Sequence, residues 1–211
     1  MDYSFKTFLK HTAKDFHNQS VNPPVVRAST ILFKSLNDIR KTQKKHLKDP
    51  IGGHFDYGRQ GTSTTHALSK ILTKLEESYH VFLTPTGFGS VFLAKLSVER
   101  PGEEILVSDP EYSPTRILTQ DFFKDFNVKA IFYNPKDLST LQYNVSKKTK
   151  LIFVENPGSN TFEFQDLSKI ISIAKKNKIF TAMDNTWGTP YFLKPIKLGF
   201  DMAIVSATKY Y

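Results

Sequence analysis

Apolar residues along this chain recur with two different spacings, and the switch between them predicts the architecture. Over residues 65–77, Ala67, Leu68, Ile71, Leu72 and Leu75 fall at helical spacing, as do Leu167, Ile170, Ile171 and Ala174 over 166–176. Short apolar runs at 80–83, 104–107, 128–133, 151–154, 179–183 and 201–205 predict strands. Helices are predicted between them at 87–99, with Thr86 as N-cap, at 113–126, with Pro114 in the first turn, and at 138–141. Strands separated by helices predict an α/β fold with a mainly parallel central sheet. Ligands in such sheets sit at the carboxyl ends of the strands, where Asp184 and Ser206 stand.

The N-terminal quarter is less regular. Residues 3–17 read as a short amphipathic helix or arm, ended by Asn22-Pro23-Pro24 because two prolines force extended backbone. Residues 25–33 read as extended and 35–45 as helical, and 49–65 as a long loop rich in Gly, Asp, Ser and Thr. A loop of that length is usually functional or disordered. The expected division is an arm over 1–55 and an α/β domain over 56–211.

Composition narrows the function classes. With 211 residues and 39% hydrophobic content, the chain can bury a sizeable core. It has no cysteine, which excludes disulfides, thiolate metal sites and a thiol nucleophile. No apolar run approaches the ~20 residues that span a bilayer, and residues 1–16 show no signal-peptide core, so a cytoplasmic, non-membrane protein is expected. The net charge of +9 raises nucleic-acid binding as a reading. Lysines outnumber arginines 24 to 5, and their clusters are not interleaved with aromatics, which favours a solvated basic surface instead. There is no His-Glu-x-x-His metal spacing and no Gly-x-Ser-x-Gly elbow.

The candidate chemistry lies in a few short segments. Thr84-Pro85-Thr86-Gly87-Phe88-Gly89-Ser90 joins a strand to a helix, where glycines let backbone N–H groups approach a phosphate; it also reads as a plain strand–helix turn. Ser206 and Thr208 are expected to alternate along a strand end, both hydroxyls pointing one way. Tyr57 and Arg59 lie in the long loop, and an arginine suits a phosphate; a surface arginine is the plainer reading. Tyr112 follows a strand and can stack on a planar ring, or simply pack. Lys209 follows hydroxyl residues and stands 25 positions after Asp184. An amine and a carboxylate so placed are what pyridoxal phosphate (PLP) chemistry needs: the amine condenses with the aldehyde, and the carboxylate keeps the pyridine nitrogen protonated. Taken singly, Asp184 also reads as a turn residue and Lys209 as one more surface lysine.

Six segments occur in one order: Tyr57-Gly58-Arg59-Gln60-Gly61-Thr62, Pro85-Thr86-Gly87-Phe88-Gly89-Ser90-Val91, Glu111-Tyr112-Ser113-Pro114, Glu155-Asn156-Pro157-Gly158-Ser159, Asp184-Asn185-Thr186-Trp187 and Ser206-Ala207-Thr208-Lys209-Tyr210. In that order they resemble the cystathionine β-lyase branch of the Cys/Met-metabolism PLP enzymes. The resemblance implies the large domain of the aspartate aminotransferase type (fold type I). It implies Lys209 as the Schiff-base lysine, Asp184 on the pyridine nitrogen and Tyr112 stacked on the ring. Gly87, Phe88, Ser206 and Thr208 would hold the phosphate, and Tyr57 and Arg59 would reach the phosphate of a neighbouring subunit. That implies a homo-oligomer, a dimer within a tetramer. Ser159 stands where many relatives carry an Asn. Trp187 after Asp-Asn-Thr, and Pro157-Gly158-Ser159 with Thr161-Phe162-Glu163, resemble the β-lyases rather than the γ-lyases and γ-synthases. The implied substrate is a small amino acid, L-cystathionine, cleaved by α,β-elimination. The family's chains are longer, so a C-terminal domain carrying a substrate-clamping arginine is expected to be absent here, or separately encoded as a partner chain. The alternatives are a non-catalytic remnant or PLP-binding partner subunit, and activity of the cystathionine γ-lyase or γ-synthase type.

Overall fold

The computed structural model describes residue 7 and residues 22–211. The arm expected over 3–17 lies outside the described residues apart from Thr7. The chain forms two compact units that divide between Leu83 and Thr84.

The first unit carries two helices among its described residues from 22 on. Helix α1 (Leu36–Lys48) starts at Ser35, whose Oγ accepts the Asp38 N–H. Helix α2 (Ser63–Glu76) starts at a reciprocal cap: Thr62 receives the N–H of Thr65, and the Thr65 hydroxyl receives that of Thr62. A 3₁₀ turn spans Gly58–Gln60, and Thr30 and Tyr57 form an isolated antiparallel bridge. The strand expected over 80–83 does not form. The Val81 carbonyl instead accepts the Ser69 hydroxyl of α2 at 2.5 Å, so side-chain bonding replaces a strand ladder there.

The second unit is a five-stranded sheet, all of whose pairings are parallel. Its strands are β1 (Glu104–Ser108), β2 (Lys129–Tyr133), β3 (Thr149–Glu155), β4 (Phe180–Asp184) and β5 (Met202–Ile204), in the order β2-β1-β3-β4-β5. The two-residue period of a strand splits the core in two. Ile105, Val107, Leu151, Phe153, Ala182 and Ile204 pack on one face with Val91 and Ala94 of α3 (Gly87–Val98). Leu106, Ile152, Val154 and Met183 pack on the other face. They meet Leu138 and Leu141 of a helix over Leu138–Asn144, and Ile170, Ile173 and Ala174 of a helix over Leu167–Asn177. Both faces are therefore covered, as buried parallel strands require.

Two predicted elements differ in detail. The helix expected over 113–126 runs as α4 (Ser113–Ile117), a π-helical turn (Leu118–Phe122) and a final turn (Phe123–Asp125). Within it the Thr119 hydroxyl donates to the Thr115 carbonyl at 2.7 Å, the kind of side-chain back-bond that disturbs a helical ladder. The last strand stops at Ile204. Ser206 caps a short helix (Ala207–Tyr210), so Ser206 and Thr208 do not alternate along a strand as expected, and Lys209 rides on a helical turn. No described helix is long and apolar enough to cross a membrane.

Candidate functional site

The carboxyl ends of β3, β4 and β5 gather most of the expected residues. Glu155 ends β3 and is in register with Asp184, which ends β4. Asp184 is in turn opposite Ile204 of β5, two residues before Ser206. By strand alternation Glu155 and Asp184 lie on the face of Phe153 and Ala182, the face that packs against α3.

A line of hydrogen bonds links the segments carrying Asp184 and Lys209 here. The Lys209 amine donates to Ser206 Oγ at 3.1 Å, and the Ser206 N–H donates to Thr186 Oγ1 at 2.9 Å. The Thr186 N–H donates to an Asp184 carboxylate oxygen at 3.0 Å. Burial pushes the Asp184 carboxyl above its ordinary range, while the bonds from Thr186 and the charge of Lys209 oppose the shift. A desolvated carboxyl of this kind is primed to take up a cationic partner.

Gly87 opens α3 directly against Ser206. A Cβ at Gly87 would stand 2.5 Å from Ser206 Oγ and 2.6 Å from its Cβ. Thr86 caps the helix, its hydroxyl accepting the Gly89 N–H at 2.9 Å. The N–H groups of Gly87 and Phe88 are first-turn donors with no helical acceptor. Glycine contact, free donors and the Ser206 hydroxyl make a cradle of phosphate chemistry at the positive end of a twelve-residue helix.

Tyr112 precedes α4, and its N–H donates to Glu155 Oε2 at 2.7 Å, leaving its side chain half exposed. The Glu155-Asn156-Pro157-Gly158-Ser159 segment is tied to the same loop, since the Ser159 N–H donates to the Pro110 carbonyl at 2.7 Å. Trp187 meets Phe162 edge-on at 5.1 Å and Tyr210 at 6.0 Å between ring centroids, the second contact joining two of the segments. Thr208 makes no side-chain hydrogen bond among the described residues. Tyr57 and Arg59 belong to the first unit, with the guanidinium 5.2 Å over the tyrosine ring.

Sequence reasoning missed a buried charge network on the α3 face. Lys95, fully buried, donates to Glu111 Oε1 and to Thr119 Oγ1, each at 2.5 Å, and lies 4.2 Å over the Phe153 ring. Burial pushes Lys95 down and Glu111 up, each partly offset by the other. A signal was present: Lys95 interrupts the apolar run Val91-Phe92-Leu93-Ala94 and Leu96. Glu155 was quoted in a segment but given no role. Among the described residues no three His, Cys, Asp or Glu side chains are grouped to hold a metal.

Amine, carboxyl, half-exposed tyrosine ring and phosphate cradle fit PLP: one end of the site offers donors to an anion, and the other a half-buried carboxyl to a ring nitrogen. A model of the family described as Cys/Met metabolism PLP-dependent enzyme matches residues 6–211. A Saccharomyces cerevisiae protein provisionally named cystathionine beta-lyase is 37% identical over 90% of this chain and 53% of its own length. A Wolbachia pipientis protein named L-alanine/L-glutamate racemase is 33% identical over 90% of this chain and 48% of its own. A crystal structure of a Campylobacter jejuni protein, provisionally named O-acetylhomoserine (thiol)-lyase, contains N'-pyridoxyl-lysine-5'-monophosphate. It superposes with a TM-score of 0.87 at 25% identity, covering 99% of this chain and 51% of that one. The chain spans about half the length of the curated relatives it matches.

Proposed function

We propose, since the chain belongs to the Cys/Met metabolism PLP-dependent enzyme family, that it supplies the cofactor-binding half of a carbon–sulfur lyase of the cystathionine β-lyase type. The observation that carries this reading is the bonded line from the Lys209 amine through Ser206 and Thr186 to the half-buried Asp184 carboxyl. Bound there, PLP would supply an electron sink for bonds broken at the α-carbon of an amino acid.

The chain's own residues do the rest. Gly87, Phe88 and Ser206 would hold the phosphate, with Thr208 two residues on, inside the short helix that Ser206 caps. Asp184 would face the ring nitrogen and keep it protonated, a cation beside it favouring the charged form of a carboxyl that burial raises. Tyr112 covers the ring from the start of α4. Lys209 Nζ would hold the aldehyde end of the cofactor and would accept the α-proton of the substrate. In the reaction on L-cystathionine, the Cβ–S bond breaks with its electron pair on sulfur, and the sulfur takes a proton to give homocysteine. The remaining three-carbon fragment takes up one water and ends as pyruvate and ammonia. Tyr57 and Arg59 are proposed to serve a neighbouring copy of the chain.

The racemase relative favours a second reading, in which Lys209 removes the same α-proton and a proton returns on the opposite face. Both readings share the cofactor site and differ in the fate of the carbanion.

The test is to add PLP to the purified chain and record its visible spectrum. A yellow band lost in Lys209→Ala is expected. Pyruvate release from L-cystathionine would then support the lyase reading, and loss of optical rotation of L-alanine or L-glutamate the racemase reading. A wild-type protein with no visible band, indistinguishable from Lys209→Ala, would sink both.

A further inference from the structure

Glu155 has no part in the steps above, yet it is buried between two residues that do. Its side chain reaches the start of α4 to accept the Tyr112 N–H, while its Cα is paired in register with that of Asp184. Its backbone is held on both sides. The Glu155 N–H donates to Ser108 Oγ at 3.2 Å, and its carbonyl accepts from Gln165 Nε2 at 3.0 Å. Resting on the PLP reading, we propose that Glu155 is a positioning residue, whose carboxyl fixes the stacking tyrosine beside the strand end that carries the ring-nitrogen carboxylate.

Electrostatics supports the same assignment. Two carboxyls side by side on a buried sheet face cannot both be charged cheaply. Burial first, and the neighbouring Asp184 second, push Glu155 up to about 8. The other groups facing it are Glu111, from the β1–α4 loop, which raises it further, and Lys95 of α3, which lowers it. Lys95 is already bonded to Glu111, so it leaves Glu155 largely uncompensated. Near neutral pH Glu155 therefore keeps a proton, and a ring cation beside Asp184 would draw that carboxyl, itself raised by burial, to its charged form. The Tyr112 N–H binds either form, because a carboxylic acid retains an acceptor oxygen.

The test is a PLP titration of the full chain followed by its visible band across pH, with Glu155→Ala and Glu155→Gln beside wild type. Circular dichroism checks that each is folded. Glu155→Ala leaves the Tyr112 N–H unpaired and is expected to weaken PLP binding about ten-fold or more. Glu155→Gln keeps an acceptor oxygen and should bind within about three-fold of wild type. It should lose the step in the wild-type band that accompanies Glu155 ionisation. Readouts of both variants superimposable on wild type would overturn the inference and leave the PLP reading intact. If Glu155→Ala does not fold, a Glu155→Gln pH profile identical to wild type overturns it alone. Absence of any band in wild type overturns this inference and the PLP reading together.

Discussion

Gly87 is the residue at which the geometry is least forgiving. Its replacement by Ala would gain helix propensity of about 1 kcal/mol. The added methyl, however, meets Ser206 Oγ, Cβ and Cα at 2.5, 2.6 and 3.1 Å. Rotating the Ser206 hydroxyl away clears only the first contact, so the start of α3 and the turn after β5 must separate. Gly87→Ala is expected to lower PLP affinity about ten-fold or more while costing only about 1–3 kcal/mol of stability. Parallel absorbance titration and urea unfolding check the two parts, and unchanged affinity would remove Gly87 from the phosphate cradle. At this scale the sequence was legible where a residue type is forced by its chemistry. Lys209, Asp184, Gly87 and Ser206 were all nameable from spacing and order. Lys95, Glu111 and Glu155 were not: the break that Lys95 makes in an apolar run marks it as unusual, but the roles come from contacts between α3, a loop and β3.

At the scale of elements, helix α3 has two separable tasks. It is capped by Thr86, and its first-turn donors face an anion in the proposed site. A carboxylate at the cap satisfies the same N–H groups as a hydroxyl and interacts well with the helix dipole. It also places a negative charge beside a dianionic phosphate. Thr86→Asp is therefore expected to leave the stability of the cofactor-free protein within about 1 kcal/mol of wild type, or raise it. The same change should weaken PLP binding. Thermal melts with and without PLP separate the effects, and tighter PLP binding by this variant would contradict an anion site at the α3 N-terminus. Helices with strong caps or apolar stripes were read to within a few residues, as at Gly87–Val98 and Leu167–Asn177. The misreadings have local causes. The apolar run at 80–83 lacks a ladder because Ser69 takes the Val81 carbonyl, and Ser206 turns the chain into a helix that alternation could not foresee.

For the molecule as a whole, the buried carboxyls set how stability responds to pH. Burial, with neighbouring Glu103 as the next cause, pushes Glu99 up to about 7, and Glu155 rises to about 8. Both Glu99 oxygens are buried without a hydrogen-bond partner, so ionisation there is not repaid. Glu111 and Asp184 shift in the same direction. Each group binds its proton more tightly folded than unfolded. The folded state therefore holds extra protons from the unfolded pKa up to the folded one, and stability falls as pH rises through that window. The net charge of +9 works the other way, since its self-repulsion eases as pH rises. That repulsion acts between exposed charges and is screened within about 10 Å at ordinary salt, so the buried carboxyls dominate. His66, in the first unit, is held below its ordinary value by burial and nearby Lys70, and its contribution is lost as pH falls. Trp187 is the chain's single tryptophan and lies in the second unit, so its fluorescence follows the unit that holds the four carboxyls. Urea unfolding of the cofactor-free protein, read by Trp187, should show about 2 kcal/mol less stability near pH 8 than near pH 5, and Glu99→Gln should flatten the lower part of that slope. Stability that instead climbed over the same interval at moderate salt would mean that these carboxyls meet water, and the closed α3 face of the sheet would have to be redrawn.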